Sequence, residues 1–394
     1  MSQQAGAEWR NYVSVFCASS ALVIAAVTAL NYQVDPYLTH QWQTQQLQQL
    51  RPGREKLSAW GKTYALAKFK PTVLYVGNSR TELGLPTRAT PFADLDVFNG
   101  ALSGASLGDA MAMVDHAEKV GQLKTLVWGI DAPSFTMEIG NTDFDRELVA
   151  NGPLYLWRRT LINVRRAFAF DMTADSIRVL RGTFGSVCHS SLASYGQRDD
   201  ACVHERIEGL GGTGAAIVPR VREYLRGAGP TDEAMRALDR SMANVCGAGT
   251  RVRLYLNPTH AMTADALYWA GKWPPMEAWQ RSLASMGQRY RAAGCDMRIF
   301  DFSGFNSVTT EAIPQVSKQP AMRYYWETSH YRSNVGSMVL ARMFGGGDVP
   351  ADFGAELSPE SVEAHQAAVR LARERYHHAH PAETSMVRSV VAER

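Results

Sequence analysis

Residues 72–84 read TVLYVGNSRTELG, a run of β-branched and aromatic residues that stops at glycine, asparagine and serine. The apolar part, residues 72–76, is typical of a buried parallel strand. A strand that ends at Gly77 places the hydroxyl of Ser79 at the carboxyl end of the sheet, where open α/β sheets build their binding sites. The pattern also fits an ordinary strand-to-helix turn in which Ser79 or Thr81 caps the helix.

A second polar motif lies far along the chain, where residues 324–331 read YYWETSHY. The carboxylate of Glu327 can sit behind the His330 imidazole and hold its tautomer, while the other ring nitrogen faces a serine. A Glu-x-x-His pair alone fits a surface turn equally well. Together with Ser79, it predicts a site for nucleophilic catalysis.

Three blocks, in this order along the chain, resemble the SGNH (GDSL-like) hydrolase superfamily. Gly77-Asn78-Ser79 is similar to the family's Gly-Asp-Ser block, which carries the nucleophile. Residues 98–106, FNGALSGAS, look like the second block, and Glu327-x-x-His330 is similar to the Asp-x-x-His block that carries the base. The resemblance covers about residues 70–345. It implies a flavodoxin-like doubly wound parallel sheet of the α/β class.

The resemblance also implies roles for individual residues. Ser79 would be the nucleophile, His330 the general base and Glu327 the group that orients it. The backbone N–H groups of Ser79 and Gly104 would form the oxyanion hole. The family's third block normally supplies an asparagine as a further donor, but Ile130 stands at that position here.

The third donor is therefore missing or supplied from elsewhere, because an ionised Asp131 cannot donate a hydrogen bond. Arg80 and Asn78 are the candidates. Five residues are predicted to contact the substrate: Asn78, Arg80, Asn99, Asp131 and His260. His260 follows a strand, and it fits a helix-capping or solvent-exposed histidine equally well.

The pattern around these motifs alternates strands with helices and predicts a doubly wound parallel sheet. Further strands are expected at residues 97–102, 126–131, 252–258 and 296–302, and helices at 55–68, 106–121, 232–245, 275–293 and 334–344. Residues 133–230 interrupt the pattern and are predicted to form an inserted helical and loop region beside the site. Its basic segment, with Trp157 and Phe168, could grip an anionic glycan or a lipid headgroup. A solvated helical face is the commoner explanation of such a charge run.

The N-terminal part contains an uncharged stretch, residues 12–30, that is long enough to span a bilayer as a helix. The domain prediction is a cytoplasmic N-terminus at residues 1–11, a transmembrane anchor at 12–31 and a juxtamembrane connector at 32–69. A cleaved signal peptide is the alternative, since Val27-Thr28-Ala29 resembles a cleavage site. Either way the bulk of the chain is exported. We expect a single-pass inner-membrane protein with its main domain in the periplasm.

The chain has five cysteines, of which Cys17 lies in the apolar stretch. The other four are in the exported part, where disulfides are permitted. Cys246 ends a predicted helix and Cys295 begins a predicted strand, both at the sheet edge opposite the site, so they could pair. Cys188 and Cys202 would then close a short loop. Three connectivities are possible, and only expected proximity favours this one.

Composition narrows the functional classes. A net charge of +3 is too small to indicate nucleic acid binding. The sequence contains no Cys-x-x-Cys, Gly-x-Gly-x-x-Gly or Walker-type loop, and neither a cofactor nor a metal is predicted. Residues 346–394 are predicted to contain an amphipathic helix at 359–376 and then a polar tail. The tail histidines suggest a metal only weakly and fit a flexible tail better: His377, His378 and His380.

Members of the family in which this fold is attached to one N-terminal membrane helix often add or remove acyl groups on exported polysaccharides. The resemblance implies the same activity here. We expect a membrane-anchored periplasmic serine O-acyl esterase or acyltransferase acting on a cell-envelope or exported polysaccharide. A membrane acyltransferase or a polysaccharide synthase subunit is a candidate partner. The missing asparagine and the arginine-rich insertion motivate an alternative, a non-catalytic SGNH-like binding or assembly subunit of an envelope polysaccharide complex.

Overall fold

Six strands form the central sheet of the computed structural model, which describes residues 2–40, 45–50, 57, 59–150, 152–184, 192, 194–198, 200–227, 229–314 and 322–393. The strands are β1 (Val73–Val76), β2 (Val97–Asn99), β3 (Thr125–Ile130), β4 (Arg251–Leu256), β5 (Met297–Asp301) and β6 (Ala355–Glu356). Their order across the sheet is β2-β1-β3-β4-β5-β6. All neighbours are parallel except β5 and β6.

The parallel strands coincide with the apolar segments of the sequence, so the prediction of an α/β fold with a mostly parallel sheet is confirmed. Antiparallel β6 was not predicted. It has only two residues, which is too short for any periodic pattern to show.

Fifteen α-helices surround the sheet or precede it in the described part of the chain. They are α1 (Ser2–Val34), α2 (Gln45–Leu50), α3 (Ala59–Phe69), α4 (Ser79–Gly84), α5 (Leu107–Val120), α6 (Tyr155–Ala167), α7 (Phe170–Leu180), α8 (Asp200–Gly209), α9 (Thr213–Arg226), α10 (Asp232–Gly247), α11 (Ala261–Trp269), α12 (Trp273–Ala292), α13 (Ser333–Phe344), α14 (Val362–Ala379) and α15 (Pro381–Ala392).

Both faces of the sheet are covered, because alternate residues of a strand point to opposite sides. Leu74 of β1 belongs to one buried cluster, with α3, α5, α10 and α12. Tyr75, the next residue, belongs to a second cluster with α9, α11, α13 and α15. Burial on both sides explains why β1 is apolar at every position and β3 carries no charge, whereas β4 and β5 have arginines at or near their first residues.

The sheet topology fixes where a site can form. The chain leaves β1 toward β2 on one side and then crosses to β3 on the other, so the connections diverge between β1 and β3. Ligands of open α/β sheets bind at such a switch point, beyond the carboxyl ends of the strands. Ser79 follows β1 and Asp131 follows β3, so both lie at this edge.

The first helix, α1, is 33 residues long and is mostly exposed through its apolar part. Residues Gly6–Val34 form a helix long and apolar enough to cross a membrane, as the sequence predicted. Part of the predicted connector has a different character. Helix α3 lies within residues 32–69, yet its Ala65 and Leu66 are fully buried in the main core.

In its described part, the insertion at residues 133–230 contains helices α6 to α9 joined by loops and turns. Cys202, which was expected to close a short loop with Cys188, lies in helix α8. Cys188 lies outside the described residues, and with it the predicted Cys188–Cys202 pair. The other predicted disulfide, Cys246–Cys295, is present and is confirmed.

The C-terminal residues are helical, so the interpretation of a flexible tail was wrong. Helix α15 packs against α11 and α9 through Val387 and Val390, which are buried. The preceding histidine His377 is tied to a buried carboxylate, with Nε2 2.8 Å from Asp265 Oδ1. The tail contains so many polar residues that its narrow apolar face did not stand out in the sequence.

Candidate active site

A tight turn delivers Ser79 to the carboxyl edge of the sheet. Gly77 follows β1 with φ +144°, and a Cβ there would lie only 2.7 Å from the carbonyl oxygen of Gly129. Asn78 then caps helix α4, since its side-chain oxygen accepts a hydrogen bond from the Arg80 N–H. Ser79 is therefore the first residue of the helix, and Asn78, not Ser79 or Thr81, is the cap.

The loop before α13 brings His330 and Glu327 to the same place. Its ends pair as a β-bridge between Tyr325 and Tyr331, and the Trp326 N–H donates to the His330 carbonyl over 2.9 Å. Nε2 of His330 lies 2.8 Å from Ser79 Oγ, and Nδ1 contacts the carboxylate of Glu327. Glu327 and His330 are both buried, which excludes the surface-turn alternative.

The surroundings of Glu327 keep its carboxylate ionised. Its second oxygen accepts the Ser329 N–H over 2.6 Å, and Arg220 Nε of α9 lies 3.5 Å from the first. Burial alone would raise the pKa of Glu327, but His330, Arg220 and the Ser329 N–H outweigh it and hold the pKa below its ordinary value. A charged carboxylate at Nδ1 stabilises the imidazolium that forms when Nε2 takes a proton.

A second buried carboxylate, Asp131, joins the segments that carry these groups. Its Oδ2 accepts hydrogen bonds from Asn78 at 2.6 Å, from Asn257 at 3.0 Å and from Arg80 at 3.2 Å. Arg80 also donates to the carbonyl and the hydroxyl of Ser329. Asp131 thus links the turn that carries Ser79 to the loop that carries His330.

Two backbone donors are free to bind a developing oxyanion. Ser79 and Gly104 line one cavity of about 140 Å³ together with Glu327 and His330. Ser79 is the first residue of α4, so its N–H has no partner within the helix. The Gly104 N–H makes no hydrogen bond to another described residue. Gly104 has φ +72°, a left-handed conformation that favours glycine.

Neither predicted candidate for a third donor faces this cavity. The Asn78 amide donates to Asp131 and Ser134, and Arg80 is held by Asp131 and Ser329. Arg198 of the insertion does line the cavity. Its Nη2 pairs with Glu82 at 3.1 Å, while Nε and Nη1 have no hydrogen-bond acceptor among the described residues.

Below the cavity, Glu82 of α4 supports the segment that carries Gly104. One carboxylate oxygen accepts from Lys62 of α3 over 2.9 Å and the other accepts from Ser103 over 2.7 Å. Lys62 also donates to the Ala101 carbonyl. Burial lowers the pKa of Lys62, and the charge of Glu82 opposes that change. The network fixes Ala101 and Ser103, the residues on either side of Leu102. Ser103 directly precedes Gly104.

Four apolar side chains form one part of the cavity wall, and the polar side chains of Ser103, Arg220 and Glu223 complete it. Leu83 comes from α4, Val203 and Ile207 come from α8, and Leu210 follows α8. Val203, Ile207 and Leu83 also form a small buried cluster with Trp326. The insertion therefore closes one side of the site. Among the described residues, no group of three or more His, Cys, Asp or Glu side chains is arranged to hold a metal ion.

None of the five predicted substrate contacts lines this cavity. Asn78, Arg80 and Asp131 are held in the network above, and Asn99 and His260 have structural partners as well. Asn99 is fully buried and its amide donates to the Thr81 carbonyl at the end of α4. His260 caps α11: its Nδ1 accepts the Met262 N–H and its Nε2 lies 2.7 Å from the Glu311 carbonyl. Burial lowers the pKa of His260 to about 4, so it is neutral. The capping alternative, left open by the sequence, describes this residue.

Four residues of the site were not singled out in the sequence: Lys62, Arg198, Arg220 and Asn257. Only Asn257 carried a usable signal, because it ends a predicted strand at the same sheet edge as Ser79. The other three reach the site from α3 and from the insertion, and no local pattern distinguishes them from surface cations.

The sequence matches no protein-family model and no curated protein.

We predict that Glu82→Gln destabilises the protein more than Lys62→Met does. Without Glu82, Lys62 and Arg198 lose their shared carboxylate, at a cost of about 3–5 kcal/mol. Without Lys62, Glu82 keeps Arg198 and Ser103. Thermal unfolding of the full chain in detergent micelles, followed by circular dichroism, measures the order. The double variant should lie between the two single variants, because it removes the buried charge of Lys62 but still leaves Arg198 without its carboxylate. Equal or reversed losses would contradict this account of the network.

Proposed function

We propose that this chain is a membrane-anchored serine O-acyl esterase or O-acyltransferase that acts on an acylated glycan of the cell envelope. The observation that carries the proposal is the 2.8 Å contact between Ser79 Oγ and His330 Nε2, with Glu327 on the other ring nitrogen. This arrangement of hydroxyl, imidazole and carboxylate recurs on unrelated folds as a means of activating the hydroxyl for acyl transfer.

The fold supports the same proposal. The order of the five parallel strands, β2-β1-β3-β4-β5, agrees with the flavodoxin-like order. It is therefore compatible with the SGNH-like architecture that the sequence blocks imply. Ser79, Gly104 and His330, which come from the three blocks, line one cavity.

The proposed reaction has two halves. Ser79 Oγ bonds to the acyl carbonyl carbon while its proton passes to His330 Nε2. His330 then returns the proton to the glycan oxygen as the ester C–O bond breaks, which leaves an acyl-serine. Water or an acceptor hydroxyl attacks this ester, and His330 takes the incoming proton and gives it back to Ser79. Water yields hydrolysis, whereas a second sugar hydroxyl yields transfer.

The oxyanion that forms in each half would be stabilised by the N–H groups of Ser79 and Gly104, with Arg198 as the third donor. Arg198 would supply the donor that the family's third-block asparagine supplies, because Ile130 stands at that asparagine's position. Its guanidinium is held by Glu82 and has donors left over. A fixed donor in a site that excludes water stabilises such charge far more than it would in solution.

The size of the cavity favours a short acyl group. Its volume of about 140 Å³ lies below the roughly 300–1,000 Å³ of pockets for drug-sized ligands. The apolar wall from α4 and α8 suits the methyl end of an acetyl or similar group, and the open side leaves room for a sugar outside. The envelope glycan, the periplasmic side and the inner membrane rest on the resemblance and on α1.

We predict that the full-length protein in detergent micelles releases acetate from an aryl acetate, and that Ser79→Ala abolishes this activity. The loss follows because Ser79 carries the hydroxyl that contacts the His330 imidazole, whereas the hydroxyl of Ser103 in the same cavity donates to Glu82. Spectrophotometric release of the aryl alcohol measures it, with Ser282→Ala, at an exposed serine of α12, as the matched control. A folded wild type that turns over no acyl donor would contradict catalysis and favour a glycan-binding subunit.

We predict that Arg198→Lys lowers kcat by roughly 100-fold with little change in KM, because the lysine would keep the ion pair with Glu82 but lose the additional donors. Initial rates over a range of aryl acetate concentrations separate the two constants. Arg240→Lys, at an exposed position of α10, is the control. An unchanged kcat in Arg198→Lys would exclude Arg198 as an oxyanion donor.

A further inference from the structure

Helix α6 carries an apolar stripe on its outer face. Its members follow one another at intervals of three or four residues, so they lie on one side of the helix. Each is 40–67% exposed, and they are Leu154, Trp157, Leu161, Val164 and Phe168. The opposite face holds the helix to the domain, since Arg159 and Ile162 are buried there. Helix α6 is therefore attached to the domain by one face, and the apolar stripe on its other face is uncovered.

The next helix extends this surface. Phe170, which begins α7, is 85% exposed, and Ile177 and Leu180 are exposed further along. Only Ala169 separates Phe170 from Phe168, so two exposed aromatic rings mark the turn between α6 and α7. A contiguous apolar surface of this kind, exposed on the outside of a domain, marks a site of interaction with a protein or a membrane.

The hairpin formed by α6 and α7 is fixed to the C-terminal end of α1. Asn31 of α1 donates to the Ala167 carbonyl over 2.8 Å and to the Thr173 hydroxyl over 3.0 Å, and it accepts from Ser176. Asn31 is fully buried by these contacts. The hairpin therefore cannot move independently of the helix that is long and apolar enough to cross a membrane.

A cavity between α1 and the hairpin shows at which residues of α1 the hairpin lies. It has a volume of about 250 Å³, and its lining includes Thr28 and Tyr32 from α1 and Thr160 and Val164 from α6. Thr28 lies in the last turn of the uncharged stretch at residues 12–30. The apolar stripe of α6, of which Val164 is a member, consequently begins where the apolar part of α1 ends.

The charges on the hairpin suit an anionic surface. Helix α6 contains no acidic residue, and Arg158 and Arg165 are exposed beside the stripe. Arg181, just after α7, is exposed as well. Helix α7 contributes two acidic residues, the exposed Asp171 and Asp175, which pairs with Arg178, so arginines outnumber acidic residues on the hairpin. Aromatic and aliphatic residues on one face, with arginines next to them, characterise helices that lie in the interface of an anionic bilayer.

We propose that the α6–α7 hairpin lies in the headgroup region of the anionic phospholipid bilayer that α1 spans, with Trp157 and Phe170 inserted toward the acyl chains. The proposal rests on α1 crossing that bilayer, and it is independent of the chemistry at Ser79. Helices α8 and α9 follow this hairpin in the chain and line the candidate cavity. The contact between hairpin and bilayer would therefore fix the orientation of the cavity toward the membrane.

The test uses the full chain in nanodiscs of phosphatidylcholine and phosphatidylglycerol, with and without brominated acyl chains that quench tryptophan. The chain has nine tryptophans, so the signal of one is the difference between wild type and a Trp→Phe variant. Trp157→Phe reports the hairpin. Trp269→Phe is the matched control, because Trp269 is partly exposed on α11, which packs on α15.

We expect brominated lipid to remove more than half of the Trp157 signal and to leave the Trp269 signal unchanged. Quenching of Trp157 should weaken in discs of phosphatidylcholine alone, because the arginines then lack their anionic partners. Equal Trp157 signals in brominated and non-brominated discs would overturn the proposal, whether Trp157 then faces water or a second copy of the chain. Flotation with vesicles tests α1 separately, since a chain that does not float fails at the anchor.

Discussion

The hydrogen bonds to one carboxylate oxygen, Asp131 Oδ2, connect the chain segments on which the candidate site depends. Asn78 follows β1, Asp131 follows β3 and Asn257 follows β4, so the oxygen ties together three strand ends. Arg80 adds the loop of His330 to the same centre. A buried carboxylate is costly without such partners, and here three donors compensate it. The contact between Ser79 and His330 spans 251 residues of sequence and requires this support.

The same principle, a buried charge that is stabilised only by partners from distant segments, recurs on either side of the nucleophile. Glu82 connects α3, α4 and the Gly104 segment through Lys62, Ser103 and Arg198. Glu327 is stabilised by His330 and by Arg220 of α9. Polar groups fixed in this way would need no rearrangement if charge developed during the proposed reaction. They also explain why the insertion belongs to the site, since two of the arginines come from it.

The fold class and the residues that the structure brings together around Ser79 could be predicted because their signals are local. Mostly apolar segments mark the parallel strands, which have three to six residues, and the capping serine Ser106 marks the start of α5. Ser79, Glu327 and His330 were identified because short motifs place them at strand and loop ends. The roles of Asn99 and His260 could not be predicted, because a polar residue after a strand can cap a helix or face a ligand. Only the tertiary contacts distinguish the two.

The measurement that tests the central claim most directly is covalent labelling of the full chain in nanodiscs with a fluorophosphonate, followed by peptide mass spectrometry. The reagent reacts with a serine only when a neighbouring base activates its hydroxyl. The account predicts one adduct, on Ser79, and its loss in His330→Ala although Ser79 is still present. A folded wild type without an adduct, or an adduct that persists in His330→Ala, would contradict the claim that His330 activates Ser79.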